Sequence, residues 1–431
     1  MKQLISNLKG DKVIWSFVAL LGLFSFMPVF SASSNLAYIG HGTGNTLGYL
    51  VKHFAHIFIG FLIIYGIHKV PYQYFRTISR YLLPVVWLLL GYTLAKGTVI
   101  AGANASRWIQ LPFIGITFQT STLAFIVLMV FVARYLSVTR DTPIVFQASL
   151  WELWLPVFIT LGLILPANFS TAALMFAMVL MLVYVGMYPL KYIGTIIGLG
   201  VAAIAVFVLL SHAMPNVKLF TRVKTWESRI DNYLQHKPGK DDYQIEHAKT
   251  AIATGGLYGL GPGKSVQKNF LPQSSSDFIY AIIVEEYGLV GGLGVLTLYI
   301  LLFIRFFIAA QKANTKFGQL VVVGLGFPII FQALTNMAVA VNMFPVTGQP
   351  LPLISSGGSS IWMTCIALGI IIGVTKKEEE IAEEQAEKER REEALRRMID
   401  AQIAREEAAE AALLAEENYS IKDHSTPRLD N

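Results

Sequence analysis

Long apolar blocks alternate with short polar segments along most of this chain. Ten such blocks run over residues 13–31, 47–67, 81–100, 116–136, 151–166, 169–188, 192–213, 277–308, 317–341 and 358–374. A helix needs about 20 apolar residues to cross the hydrocarbon layer of a bilayer, which most of these blocks approach or exceed. The pattern therefore predicts an all-α integral membrane protein with about ten transmembrane helices. The segment Leu165-Pro166-Ala167-Asn168 predicts a turn between the fifth and sixth blocks.

Three polar stretches stand outside this pattern. Residues 214–276 form a large loop between the seventh and eighth blocks, and a connection of this length is usually functional. Residues 376–418 are rich in Glu, Arg, Ala and Gln and predict a charged helix, either solvated or bound to a partner. Residues 419–431 are expected to be disordered. The predicted organisation is thus a membrane domain over 1–375, followed by this helix and tail.

The distribution of Lys and Arg in the short loops predicts the orientation of the helices. Positive residues concentrate on the cytoplasmic side of a membrane protein. The opposite short loops hold little beyond Arg107, so both termini are predicted to be cytoplasmic and residues 214–276 to lie outside. The residues that share the cytoplasmic side are Lys2, Lys9, Lys12, Lys69, Arg76, Arg80, Arg134, Arg140, Lys191, Arg305, Lys312, Lys316, Lys376 and Lys377.

Composition narrows the class of partner. Only 14% of the residues are charged, whereas a soluble domain carries about 25%. Residues 1–375 carry a net charge of +13 and the remainder −7, so the membrane part suits anionic lipids and anionic substrates. Nucleic acid is not expected, because these charges are spread over short loops. The single cysteine, Cys365, excludes an internal disulfide.

Three carboxylates mark the eighth apolar block as a candidate site. Asp277 falls where the polar loop meets this block. Ser276 or Asp277 caps a helix beginning at Phe278, or Asp277 faces a substrate there, and the two roles are compatible. Glu285 and Glu286 lie inside the block, where an ionisable group usually faces a cavity or a partner. Asp277 and Glu285 are eight residues apart, about 12 Å along a helix, which fits a two-carboxylate glycosidase pair poorly.

Glycine-rich and basic segments add further candidates. Residues 254–268 and 348–360 are rich in glycine and form either simple loops or the rims of a cavity. In the second stretch, Pro350, Pro352, Gly357 and Gly358 exclude a regular helix. Lys52 and His53 at the start of the second block, and the pair Arg107-Trp108, serve either as interfacial anchors or as a basic surface for a pyrophosphate. The sequence contains no metal-ligand motif such as HExxH or CxxC, and no metal ligand is predicted.

Five motifs within residues 11–375 resemble the SEDS family of peptidoglycan polymerases. They are FSASS at 30–34, SRWI at 106–109, GLYGLGPGKSVQK at 256–268, LPQSSSDFIYAIIVEEYG at 271–288 and PVTGQPLPLISSGGSS at 345–360. The resemblance implies ten helices with a large extracytoplasmic loop between helices 7 and 8. It also implies glycosyl transfer with lipid II, whose sugar chain is released from undecaprenyl pyrophosphate as it grows.

The resemblance assigns roles to particular residues. The essential Asp of the family falls on Asp277, which would act as a general base. No cofactor is certain, although a divalent cation would suit the leaving pyrophosphate. Further candidates for substrate binding are Lys52, Arg107, Trp108, Gln119, Lys249, Lys264, Lys268, Glu286, Ser355, Gly357 and Gly358.

The resemblance also implies partners and a cellular place. A class B penicillin-binding protein would supply cross-linking, through a helix packed on the eighth and ninth blocks near Gly288, Gly291, Gly292 and Gly294. Other division proteins would join it at the septum of the cytoplasmic membrane, because the motifs at 265–268 and 347–355 favour the division member of the family. An elongation polymerase, a lipid II flippase and a scaffold remain the alternatives.

Some positions depart from the family pattern. Carboxylates that the family carries are replaced by Thr122, Asn168 and Gln273, and the usual Ser-Tyr-Gly-Gly is Ser355-Ser356-Gly357-Gly358. These losses leave Asp277 as the best-supported catalytic residue and weaken any mechanism that needs a second acid.

Overall fold

The structure is a computed structural model, and its apolar blocks form helices. Within the described residues, eight helices are long and apolar enough to cross a membrane, and two shorter apolar helices join them. The all-α membrane fold is therefore confirmed. The described residues are 8–41, 46–97, 108–110, 117–140, 142–213, 240–271, 273–376, 380, 386–404 and 406.

The helices follow the predicted blocks closely, with boundaries set by local signals. Asn168, in the predicted turn between the fifth and sixth blocks, caps α6 by accepting from the backbone N–H of Thr171 at 3.2 Å. Thr315 caps α10 in the same way through Gly318 at 3.0 Å. The helices are α1 Lys12–His41, α2 Thr46–Ile67, α3 Gln73–Lys96, α4 Thr120–Val138, α5 Phe146–Ile164 (with a π turn at Leu150–Trp154), α6 Phe169–Val185, α7 Leu190–Ala213, α8 Lys240–Gly255, α9 Ile279–Lys312, α10 Lys316–Ala340 and α11 Gly358–Val374.

Helix α10 lies at the centre of the packing. It contacts α4, α6, α9 and α11, while α2 packs on α11 and α1 packs on both α2 and α9. At one end of the bundle, the Asp11 carboxylate pairs with Arg305 Nε at 2.6 Å, and the Asp11 N–H donates to Thr375 Oγ1 at 2.9 Å. These contacts join the start of α1 to α9 and to the end of α11, and they lie at the end of the bundle predicted to be cytoplasmic.

The loop before α9 crosses that helix at very short range. Gly288 interrupts α9 with a φ of 70°, which leaves the carbonyls of Glu285 and Glu286 free to accept from Leu260 N–H at 3.0 Å and Gly261 N–H at 2.9 Å. A Cβ at Gly288 would lie 2.2 Å from the carbonyl oxygen of Leu257. Glycine is therefore required here for its backbone conformation and for the close approach of two backbones.

This crossing changes the reading of the glycines on α9. The sequence predicts a partner surface at Gly288, Gly291, Gly292 and Gly294. The structure buries Gly288 in the crossing, and a Cβ at Gly292 would meet Val284 at 2.7 Å. Gly294 is exposed and has open space around it, so it remains available for a partner.

The polar tail belongs to a compact unit separate from the helix bundle. The chain divides into one compact unit over Gly10–Thr375 and another over Met1–Lys9 with Lys376–Asn431. Residues 386–404 of the tail are helical, and all those after residue 386 in this segment are exposed, with Arg391 paired to Glu387 at 2.7 Å. The predicted disorder of 419–431 lies outside the described residues.

Candidate active site

Asp277 lies in a compact turn directly before α9. The turn comprises residues 273–278 and is closed by hydrogen bonds from the N–H groups of Ser276 and Phe278 to the carbonyl of Gln273, at 3.1 and 3.2 Å. We call it the motif turn. Helix α9 begins at Ile279 with Phe278 in the N-cap position, and the Ser276 hydroxyl donates to Gln273 Oε1 at 2.6 Å. The prediction that Ser276 or Asp277 caps a helix beginning at Phe278 is therefore wrong, and the Asp277 side chain stays partly exposed.

A second segment closes over the motif turn. The segment 345–357, here called the PLPL loop, connects α10 to α11 without regular secondary structure. Ser355 accepts from Leu351 N–H at 2.7 Å and donates its hydroxyl to the carbonyl of Ser276 at 2.6 Å. Ser356 N–H donates to the carbonyl of Ser275 at 2.8 Å. Ser355, a predicted substrate contact, is buried and joins the two motif segments.

Side chains of helix α10 donate hydrogen bonds to both of these segments. The side-chain nitrogen of Asn336 donates to the carbonyls of Asp277 and Gln349, both at 2.8 Å. One turn earlier on the same helix, Gln332 donates to the carbonyl of Pro350 at 2.8 Å. Asn336 itself is 1% exposed, whereas Asp277 and Gln349 are partly exposed, so the two bonds are partly buried. Nothing in the sequence around Asn336 indicates this role, because an amide in an apolar helix carries no local sign of its distant partner.

Glu285 and Glu286 bind the loop between α8 and the motif turn, residues 256–271, which we call the outer loop after its predicted side of the membrane. The Glu285 carboxylate accepts from Ser265 Oγ at 2.5 Å, Val266 N–H at 2.9 Å and Gln267 N–H at 3.2 Å. Glu286 accepts from the Ser31 hydroxyl on α1 and from Ser265 N–H at 3.2 Å. Both carboxylates are fully buried, with at most 1% exposure. The predicted substrate contact at Glu286 therefore lies beneath the loop that it fastens.

The basic residues of the loop occupy different positions. Lys268 extends its ammonium group to Ser31 Oγ at 3.2 Å and to the carbonyl of Gly263 at 2.9 Å. Its charge thus lies one hydroxyl group away from the Glu286 carboxylate. Lys249 on α8 and Lys264 in the following turn are exposed. The structure therefore brings Lys268 to Ser31 of α1 and leaves Lys249 and Lys264 at the surface.

Gly357 and Gly358 form the start of α11 next to α2. Gly357 occupies the N-cap position, and a Cβ at Gly358 would lie 2.5 Å from Nε2 of His56. Glycine at 358 thus lets an imidazole pack directly on the first turn of the helix. Lys52 is exposed one turn before His56 on α2. Lys52 is a predicted candidate and His56 is not, although their spacing of four residues places both on one face of α2.

A short hairpin approaches the same end of α11. Strands β1 Trp108–Gln110 and β2 Thr117–Gln119 are antiparallel, with Trp108 paired to Gln119. The hairpin leads directly into α4, and β2 contacts α11. Trp108 and Gln119 thus lie together as predicted candidates, while Arg107 lies outside the described residues.

The positions at which the resemblance implies a family carboxylate hold neutral polar side chains. Asn168 caps α6 through its side-chain oxygen, and Gln273 Oε1 accepts the Ser276 hydroxyl in the motif turn. Thr122 donates to the carbonyl of Gln119 at 2.7 Å and lines a mostly apolar cavity of about 60 Å³ between α4, α10 and α11. An amide oxygen can replace a carboxylate oxygen as a hydrogen-bond acceptor, so these substitutions at 168 and 273 are compatible with the same local geometry.

The acidic residues do not assemble a cation site in the part of the chain that is described. No three His, Cys, Asp or Glu side chains lie together there. The Glu285 oxygens are occupied by loop donors, and Asp277 lies in a separate segment. These residues do not fit a resident divalent cation, so we derive no step through one.

The fold and this site define a class of protein. The chain is a multi-pass α-helical membrane protein. At one end of its helix bundle, the motif turn and the PLPL loop hold a partly exposed aspartate, Asp277. The sequence profile of the family described as "Cell cycle protein", which covers FtsW, RodA and SpoVE, matches residues 11–380. The chain belongs to this family, as its resemblance to the SEDS polymerases predicted.

Individual relatives agree with this assignment. The chain is 29% identical over 375 residues to the Nitrosomonas europaea protein named "Probable peptidoglycan glycosyltransferase FtsW", covering 84% of this chain and 92% of that one. The protein of the same name from Dichelobacter nodosus is 32% identical and covers 72% and 76% of the two chains.

Solved structures share the fold. A chain of a peptidoglycan synthase complex, described as coordinating polymerization and crosslinking, matches with a TM-score of 0.66 at 25% identity, covering 85% of this chain and 97% of that one. The rod shape determining protein RodA of Thermus thermophilus matches with a TM-score of 0.60 at 23% identity, covering 86% and 98%.

Proposed function

We propose that this protein is a peptidoglycan glycosyltransferase that polymerises lipid II into glycan strands at the outer face of the bacterial cytoplasmic membrane. Membership of the family and the names of its relatives support the reaction class. The observation that carries the proposal is the position of Asp277. Its side chain is partly exposed in a turn held by the PLPL loop and by α10, at the end of the bundle opposite the Asp11–Arg305 pair.

The proposed reaction requires one proton acceptor. A sugar hydroxyl of one lipid II attacks the anomeric carbon of the growing strand, and the bond from that carbon to undecaprenyl pyrophosphate breaks. The Asp277 carboxylate accepts the hydroxyl proton, and the pyrophosphate departs with the bonding electron pair. Such general base catalysis contributes about 10²–10⁴-fold. Glu285 and Glu286 are at most 1% exposed beneath the outer loop, so we assign this role to neither.

We place the reaction at the division septum, with both termini in the cytoplasm. Relatives named FtsW and the motifs at 265–268 and 347–355 support the division role. A class B penicillin-binding protein is the proposed partner, since a similar protein belongs to a complex that coordinates polymerization and crosslinking. The exposed face of α9 around Gly294 offers a place for its helix. Other division proteins would assemble with this pair.

Polymerisation by purified protein with its partner tests the proposal. We expect Asp277→Asn to insert and melt as the wild type does, because Asn has the same shape, and to form glycan at least about 100-fold more slowly. Glu246→Gln is the matched control, since Glu246 is an exposed carboxylate on α8.

Four outcomes would contradict the proposal or one part of it. Near-normal chain formation by Asp277→Asn would remove Asp277 as the base. Translocation of labelled lipid II without polymer would favour a flippase, and the absence of both activities from the wild type with its partner would favour a scaffold. Normal septation with loss of rod shape on depletion would assign the protein to elongation.

A further inference from the structure

The side chain of Asn336 on α10 hydrogen-bonds to both segments of the candidate active site. Its nitrogen lies 2.8 Å from the carbonyl oxygen of Asp277 and 2.8 Å from that of Gln349. A carbonyl oxygen only accepts hydrogen bonds, so the amide must present its NH₂ group to both. That group has two N–H donors, and each is used by one segment.

These contacts extend beyond Asn336. The side chain of Gln349 donates to Thr171 Oγ1 at 2.8 Å, and Thr171 lies in the first turn of α6, directly after its cap at Asn168. Four elements are thereby connected in series: α6, the PLPL loop, α10 and the motif turn. Asn336 provides the link in this series that reaches Asp277.

We propose that Asn336 is a positioning residue for glycosyl transfer, which fixes the backbone of Asp277 against the PLPL loop and thereby orients the Asp277 carboxylate toward the acceptor hydroxyl. This inference rests on the proposed role of Asp277 as the base. The carbonyl that Asn336 holds belongs to Asp277 itself, so a shift of this backbone moves the carboxylate directly. The side chain is 1% exposed and does not touch the substrate.

The physical reason for a dedicated donor is the irregular backbone at this point. Asp277 precedes the first residue of α9, so its carbonyl lies outside the regular helical ladder, and Gln349 lies in a loop without secondary structure. Both bonds are partly buried, and a carbonyl shielded from water needs a donor. One amide satisfies both carbonyls at once, and its two bonds fix the distance between the segments.

Two chemically opposite substitutions test the proposal. Asn336→Leu removes the donors and leaves an apolar group of similar size, while Asn336→Asp keeps the shape but presents an acceptor where donors are needed. We expect each to lower kcat for lipid II polymerisation about 10- to 100-fold, the loss typical of a small displacement of a reacting group. The KM for lipid II should change less than about twofold, because Asn336 is not a binding contact.

Gln332→Leu is the matched control. It removes an amide on the same helix that bonds to the same loop, at Pro350, but that does not reach Asp277. We expect this variant to keep kcat within about threefold of the wild type, because the lost hydrogen bond does not involve the backbone of Asp277. Melting in detergent is compared for all variants, and Asn336→Asp carries the test if Asn336→Leu does not fold.

A double variant separates this inference from the proposed function. If Asn336 acts through Asp277, Asp277→Asn with Asn336→Leu should be no more than about twofold slower than Asp277→Asn alone. Fully additive losses, or wild-type kcat in both Asn336 variants, would overturn the positioning role while leaving Asp277 intact. Near-normal activity of Asp277→Asn alone would instead overturn the base assignment.

Discussion

Replacement of Glu285 by alanine should loosen the outer loop without unfolding the helices. The Glu285 carboxylate is fully buried and accepts hydrogen bonds from Ser265 Oγ and from the N–H groups of Val266 and Gln267. Alanine would leave these three donors without their acceptor. A buried donor that loses its partner costs about 1–3 kcal/mol. We therefore expect local opening of this loop to become easier by at least about 3 kcal/mol.

Hydrogen exchange measures this change directly. A shift of about 3 kcal/mol corresponds to a roughly 100-fold larger population of the open loop. Peptides covering residues 262–270 should exchange about 100-fold faster in Glu285→Ala than in the wild type, while peptides from α10 keep their rates. Glu285→Gln retains one acceptor oxygen and should fall between the two. Because residue 271 leads straight into the motif turn, polymerisation should also slow.

The control and the refuting result are equally specific. Glu246→Ala removes an exposed carboxylate from α8 and should leave the exchange of residues 262–270 unchanged. Wild-type exchange of these residues in Glu285→Ala would refute the reasoning, because it would mean that the buried carboxylate does not hold the loop.

Two further predictions concern the kinked helix and the tail. Gly288→Ala should reduce the yield of folded protein, because residue 288 has a φ of 70° and its Cβ would lie 2.2 Å from a backbone oxygen. Size-exclusion and melting experiments measure this effect, with Gly66→Ala as the control because Gly66 has open space around it. Equal melting of both variants would contradict the prediction. Deletion of residues 380–431 should leave melting and in vitro polymerisation unchanged, because the tail residues 387–404 are exposed; loss of folded protein would show that the tail packs on the membrane domain.

The periodic part of the structure could be predicted from sequence. The apolar blocks at 47–67 and 358–374 match α2 Thr46–Ile67 and α11 Gly358–Val374 almost residue for residue. The Leu165–Asn168 turn is also where it was expected, because an Asn cap and a Pro are local signals. These features depend on burial in lipid and on a few neighbouring residues, so a linear sequence contains them.

The candidate site was predictable only in part. Asp277 stood out through its position between a polar loop and an apolar block. The contacts that hold it join residues 59 to 79 positions apart, as in Asn336 with Asp277 and Ser355 with Ser276. No periodicity indicates which amide or hydroxyl of a distant helix will find an irregular carbonyl. For the same reason, the sequence suggested substrate binding for Ser355 and Glu286, both of which are buried.

The kink of α9 connects these buried residues with the site. A regular helix would use the carbonyls of Glu285 and Glu286 for its own hydrogen bonds. Gly288 breaks that ladder, and the freed carbonyls accept from the loop at Leu260 and Gly261, while the two carboxylates accept from the loop at 265–267. One short stretch of α9 thus anchors the outer loop through both backbone and side chains. The outer loop continues into the motif turn, so this anchor restrains the chain that precedes Asp277. The hydrogen bond from Asn336 restrains the carbonyl of Asp277 itself.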